Sequence, residues 1–135
     1  MSRADEENIE SRTEAALQHQ EQISKLRRGL DVKLPNPDRG RPVSFDGCRN
    51  SDGTMLEAKG PGYADKLEEN NRFVWPNIEA EQDAQVARQS KAAAASGRMV
   101  EWHFAEEEVA DHFRDEWQRD YPNVVVIYTP PAKKP

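Results

Sequence analysis

Between Met99 and Tyr128 the hydrophobic period changes twice, and no other stretch limits the possible folds as much. Met99 to Phe104 alternates, with Val100, Trp102 and Phe104 on one face and Met99, Glu101 and His103 on the other, which is the period of a strand. Residues 105 to 120 put Val109, Phe113 and Trp117 on one helical stripe, with Glu106, Glu107 and Glu108 in a first turn where the helix dipole favours negative charge. Pro122 stops that helix, and Val124 to Tyr128 is a continuous apolar run suited to a strand buried on both faces. Strand, helix and strand in so short a span are expected to form a parallel, right-handed unit.

Upstream, residues 4 to 28 read as a helix: Ile9, Ala16, Ile23 and Leu30 recur every seven residues and Gly29 is placed to cap the end. Leu34 to Pro42 holds three prolines and a glycine and reads as a loop. Val43 to Gly47 and Thr54 to Lys59 read as the two strands of a hairpin around the Asp52-Gly53 turn. Gly60-Pro61-Gly62 forces a sharp exit, a polar helical stretch is expected from about Tyr63 to Phe73, and Trp75-Pro76 breaks it. An alanine-rich helix over residues 78 to 96 is closed by Gly97. The order predicts an α/β fold with a central mixed sheet carrying a hairpin and flanked by helices. The expected division is an N-terminal helix over residues 1–30, a core over 31–128, and an extended, mobile tail over 129–135.

At 135 residues the chain is expected to form one domain with a core of modest size. Cys48 is the only cysteine, so an internal disulfide is excluded and a structural zinc knuckle has no ligand set. No apolar run is long enough to span a membrane, and the first 30 residues are too charged to resemble a secretory signal peptide. The net charge of −6 disfavours a nucleic-acid partner, without excluding a local basic site.

Against that charge stands one constellation, Phe45-Asp46-Gly47 followed by Met55-Leu-Glu57-Ala-Lys59-Gly60. On a strand Glu57 and Lys59 share a face, about 6 to 7 Å apart, while Leu56 and Ala58 turn away. If the hairpin pairs as read, Asp46 reaches the same face from the neighbouring strand. Two carboxylates beside an ammonium are the donor set that holds a hard cation such as Mg²⁺ while phosphate and water complete its shell. They are also the groups that offset charge on a phosphoryl oxygen during phosphodiester hydrolysis. The bland alternative is a solvated Glu-x-Lys salt bridge. Against it, the polar residues interrupt an apolar hairpin, and the glycines after Lys59 leave room for a substrate backbone.

An aspartate on one strand followed by a strand bearing Glu-x-Lys resembles the PD-(D/E)xK nucleases of the restriction-endonuclease fold. More narrowly, Phe45-Asp-Gly-Cys48, Leu56-Glu-Ala-Lys-Gly-Pro-Gly-Tyr63 and Val100-Glu-Trp-His-Phe-Ala-Glu106 are similar to a restriction-endonuclease-fold group of bacterial polymorphic toxin domains. The resemblance runs from about Val43 to Tyr128 and departs from the pattern at Phe45, where the superfamily often has proline. It implies Asp46 and Glu57 as metal ligands for Mg²⁺ or Mn²⁺ and Lys59 as the catalytic lysine. It further implies a nucleic-acid substrate without saying whether DNA or RNA is cut, a cognate immunity protein as partner, and a secretion-apparatus carrier or upstream domain; DNA is the expected substrate before RNA. Delivery would be by a non-classical bacterial route, often type VI secretion, into the target-cell cytoplasm.

Several residues have a supporting reading and a bland one. The inward stripe of the 78–96 helix runs through Ile78, Gln82, Gln85 or Val86, Gln89 and Ala93, so that Gln82 and Gln89 stand where leucine would suit a core. They either border the stripe in solvent or serve the site. His103 is a general base or a half-buried structural histidine. Arg39, Arg41, Arg49, Lys66 and Arg72 form a phosphate-contacting rim or only solubilise loops. Glu10 and Glu14 either complete the metal site or are surface charges. Trp102, Phe104, Phe113, Trp117 and Tyr121 read as core. Two further functions stand beside this one: an acidic, non-enzymatic immunity or adaptor module, which the net charge favours, and a phosphodiesterase acting on a small nucleotide, which would share the same site.

Overall fold

The computed structural model describes residues 14–25, 31–67 and 76–132. Its elements run α1 (Glu14–Ser24), β1 (Val32–Leu34), β2 (Val43–Phe45), β3 (Gly47–Cys48), β4 (Met55–Lys59), a 3₁₀ turn (Ala64–Lys66), α2 (Pro76–Ala94), β5 (Val100–Phe104), α3 (Glu107–Trp117) and β6 (Val124–Tyr128). The main sheet has the order β3-β4-β5-β6, antiparallel between β3 and β4 and parallel across β4, β5 and β6. This is the expected mixed sheet, and three described helices flank it.

Register decides which side chains share a face. Met55, Glu57 and Lys59 of β4 pair with Val100, Trp102 and Phe104 of β5, so these six side chains lie on one side. That side faces α2 and α3. Phe104 stacks on Phe113 with ring centroids 5.5 Å apart, and Trp102 meets Trp117 edge-on at 4.9 Å. Val100, Trp102, Phe104, Val109 and Phe113 are all essentially inaccessible to solvent, which places the core between the sheet and α3 as the periodicity predicts. The other side, carrying Leu56, Ala58, Glu101 and His103, faces α1.

Five expectations change. Val43 to Phe45 do not extend the hairpin. They pair antiparallel with Val32 to Leu34 in a separate two-stranded sheet, because the chain bends at Asp46, whose carboxylate takes the Ala58 N–H at 2.8 Å. The hairpin proper is Gly47–Cys48 against Met55–Leu56, closed as read by Gly53 at φ +76°. Leu34 is therefore strand rather than loop. The polar stretch after Gly62 makes a single 3₁₀ turn, and Leu67 is already extended. β6, the edge strand, is buried on one face only: Val124 and Val126 are buried while Val125 is 41% exposed.

The fifth change concerns the tail. Thr129 donates its N–H to Phe104, its carbonyl takes a hydrogen bond from His19, and Gln22 clasps Pro130 and Ala132. Residues 129–132 are thus held by α1 rather than free. The expected N-terminal helix is seen as Glu14–Ser24; its earlier turns, Gly29 as its cap, the stretch from 68 to the Trp75 break, and residues 133–135 lie outside the described residues.

Candidate active site

β4 sets the site. Its alternation aims Glu57 and Lys59 at α2, where Leu56 and Ala58 cannot follow. Glu57 is only 5% exposed, a position at which a carboxylate persists when it is paired and hydrogen-bonded. Both conditions are met. Lys59 Nζ lies 3.5 Å from Glu57 Oε2, and Gln89 Nε2 donates to Glu57 Oε1 at 2.8 Å. Lys59 in turn donates to Gln85 Oε1 at 2.8 Å and sits 4.9 Å from the centroid of the Trp102 ring, whose π face favours a cation.

Asp46 joins this group from the bend before β3. Burial first, then the nearby Glu57 carboxylate, push its carboxyl up to about 8, against the smaller opposing effect of the Ala58 N–H. A carboxyl pushed up by burial and by a carboxylate neighbour is one that a divalent cation would relieve, and oxygen donors fit a hard ion. On that chemistry Asp46 and Glu57 fit a metal centre.

α2 supplies the second wall, with Gln82, Gln85 and Gln89 spaced along one stripe. Gln89 is fully buried and makes three contacts: Nε2 donates to Glu57 and to the Ser44 carbonyl, and Oε1 accepts the Trp102 indole N–H at 2.8 Å. Gln82 is buried too, but its Oε1 has no partner among the described residues. Gln85, which the periodicity placed only as an alternative to Val86, is the amide that holds Lys59. Its signal was the three-residue step to Gln82 and the four-residue step to Gln89.

The sheet separates two expected supporters from the carboxylates. Arg49 and His103 lie on the α1 side. Arg49 forks onto Glu101, with Nη2 2.5 Å from Oε2, and also pairs with Asp52. His103 Nε2–H donates to the Glu101 carboxylate at 3.0 Å and Nδ1 faces the Thr129 hydroxyl at 2.8 Å, while burial lowers its pKa. Both are tied into a hydrogen-bond network across the sheet from Asp46, so the structure does not bring them together with the carboxylates.

Lys66 donates to the Gly62 carbonyl, and Glu14 is exposed at the start of α1, where it receives Gln18. Glu10 and Arg72 lie outside the described residues. Gly60 does not open space for a substrate, because a Cβ there would sit 2.6 Å from the Ala16 Cα of α1. Sequence reasoning also passed over Glu106 Oε1, which takes the backbone N–H groups of Gly62, Tyr63 and Ala64 at 3.1, 2.8 and 3.0 Å and so fixes the loop leaving β4.

A second polar cluster lies on the α3 flank of α2. Glu79, His112 and Glu116 bring one ligand-type atom each within 4.8 Å of one another, with His112 hydrogen-bonded to Glu79. Burial, then Asp83 and Glu79, push Glu116 up to about 7. Asp83 accepts the Trp117 indole at 2.8 Å, so this cluster also ties the two helices together.

No curated protein and no solved structure matches the chain. The family profile of restriction endonuclease fold toxin 5 matches residues 16–107, a span that takes in most of α1, the Asp46 bend, β4, all of α2, β5 and Glu106. No helix of the described residues is long and apolar enough to cross a membrane. The matched span is well over half of the chain and holds every residue of the carboxylate–lysine group, and the chain belongs to the restriction endonuclease fold toxin family.

Proposed function

We propose that the chain is a metal-dependent endonuclease toxin that hydrolyses phosphodiester bonds in nucleic acid, DNA in preference to RNA. The observation that carries the reading is the half-buried Asp46 beside the buried Glu57, with Lys59 held between Glu57 and Gln85. Mg²⁺ or Mn²⁺, held by Asp46 and Glu57, would supply an activated water and a counter-charge for the phosphoryl oxygens. Lys59 is oriented by two acceptors and offers its remaining N–H to a phosphoryl oxygen as negative charge develops there. Gln89 keeps Glu57 aimed, donating its amide N–H to the carboxylate.

Family membership supports the toxin half of the reading. A cell that makes such an enzyme needs a cognate immunity protein, and a carrier or upstream domain would deliver the toxin to the cytoplasm of a target cell. Domain limits at residues 31–128 for the nuclease unit go with this proposal.

The test is cleavage of plasmid DNA and of RNA by purified protein with Mg²⁺ or Mn²⁺, beside Glu57→Ala and Lys59→Ala. Cleavage that requires metal and vanishes in both folded variants supports the reading. Inactivity on both polymers with either metal, or full activity in the variants, would leave the acidic interaction module or a small-nucleotide phosphodiesterase in its place. Growth arrest on expression, relieved by the product of a neighbouring gene, tests toxin and immunity separately.

A further inference from the structure

A cavity of about 340 Å³ lies between the 36–44 segment and α2, and its polar lining includes Asn36, Arg41, Ser44, Gln85, Arg88 and Gln89. Two of those side chains, Gln85 and Gln89, are the amides that hold Lys59 and Glu57. The cavity therefore shares its inner wall with the carboxylate–lysine group.

Its charge is opposite to that of the chain. Acidic residues outnumber basic ones 25 to 19, yet the lining holds two arginines and no carboxylate. Several cations elsewhere are committed: Arg49 to Glu101 and Asp52, Arg114 to Asp111, Lys91 to Asp38 and Lys59 to Glu57. Arg41 and Arg88 have no ionic partner among the described residues, and both are exposed. An unpaired guanidinium beside a polar cavity presents its planar fork to an incoming anion.

The two arginines are also held across the cavity from each other. Lys91, three residues after Arg88 on α2, reaches Asp38 at 2.5 Å, and Asn36 accepts the Asp38 N–H at 2.9 Å and the Arg39 N–H at 3.2 Å. This ties the 36–41 turn, with Arg39 at φ +66° and Gly40 at φ +105°, to the helix that carries Arg88.

We infer that this cavity seats a backbone phosphate of a nucleic-acid strand next to the phosphodiester to be cut, gripped by Arg41 and Arg88. The inference rests on the nuclease reading for its substrate, and it answers how an acidic protein holds a polyanion: through one local basic seat beside the carboxylates. Arg88 takes the place that the loop arginine Arg49, on the far side of the sheet, cannot fill.

The experiment measures binding without cleavage. Labelled single- and double-stranded oligonucleotides of DNA and RNA are titrated by fluorescence anisotropy against Lys59→Ala protein at several salt concentrations. Arg41→Ala, Arg88→Ala and the exposed control Arg119→Ala are then added to that background. Each seat variant is expected to weaken binding roughly tenfold and to lower the slope of log K against log salt by about 1, with the control unchanged. In the cleaving enzyme the same two substitutions raise KM and leave kcat in place. Seat variants that bind like the control, with the same salt slope, overturn the inference. If wild type cleaves no polymer yet the seat variants lose binding, the nuclease reading falls and the phosphate seat stands. Loss of binding for a mononucleotide alone, with polymers unaffected, assigns the cavity to a small ligand and overturns the strand.

Discussion

Gln89 donates its amide N–H to Glu57 at 2.8 Å, and both side chains are buried. The orientation of that amide is not ambiguous. The Trp102 indole can only donate, so it must face the Gln89 carbonyl, which leaves the NH₂ for Glu57 and the Ser44 carbonyl. A core tryptophan thereby fixes the hydrogen bond that holds the carboxylate. Gln89→Leu strands a carboxylate oxygen and an indole N–H in the interior, at an expected cost of about 2 to 4 kcal/mol. Chemical denaturation measures the loss, and cleavage should fall at least as much as for removal of a single positioning group, roughly tenfold. A stable and fully active Gln89→Leu protein would show that Glu57 needs no such support.

The raised Asp46 carboxyl has a pH consequence with a definite sign. Its folded value of about 8 stands above the unfolded value of 3.8, so between those limits the folded chain binds more protons than the unfolded one. Stability of the metal-free protein then falls as pH rises through that window, by at most about 1.4 kcal/mol per pH unit for one group. Glu116, raised to about 7, acts in the same direction. Melting in a chelator from pH 5 to pH 8.5 should show the decline, and Asp46→Asn should flatten most of it. Equal slopes in the two proteins would remove Asp46 as the source.

Glu106 gathers three backbone N–H groups from the loop that follows Lys59. A carboxylate on such a nest is a charge-assisted anchor, and Glu106 is the N-cap residue of α3, where the helix dipole adds to it. Glu106→Ala is expected to lose about 1 to 3 kcal/mol and the hydrogen-exchange protection of Gly62, Tyr63 and Ala64. Glu106→Gln keeps an acceptor and should restore part of both. Unchanged exchange at these three amides in the alanine variant would contradict the anchor.

How much of this was legible in the sequence follows from the range of the forces involved. β5, α3 and the buried ring cluster are written in local period, so Val100, Trp102, Phe104, Val109, Phe113 and Trp117 fall where the alternation and the helical stripe put them. Glu57 and Lys59 share a face for the same local reason. The pairing of β2 with β1 is not local: it follows from the bend at Asp46, and three-residue strands carry too little pattern to announce a partner. That Arg49 and His103 fall across the sheet from Asp46 was not legible, because residue spacing gives a face but not the side of the sheet on which a neighbouring element lies. Register across three strands was needed to set them against α1. Gln85 shared its helical stripe with Gln82 and Gln89, and only the reach of Lys59 singles it out.

The two glycines flanking Pro61 separate a packing requirement from a backbone one. Gly60 lies on the α1 face of β4, where a Cβ would meet the Ala16 Cα at 2.6 Å and its Cβ at 2.9 Å. Those atoms belong to a helix that cannot yield without leaving the sheet. Gly62 has open space around its Cβ position but holds φ +122°, which a side-chain-bearing residue adopts only under strain. Gly60→Ala is therefore expected to cost about 2 to 3 kcal/mol and to loosen α1, exposing the His19 and Gln22 contacts to the 129–132 segment. Gly62→Ala should cost about 1 kcal/mol, with the α1 contacts intact. Urea denaturation ranks the two, and amide exchange along 14–25 separates them. If Gly62→Ala proves the costlier, or Gly60→Ala leaves α1 protected, then α1 does not press on β4 at this point.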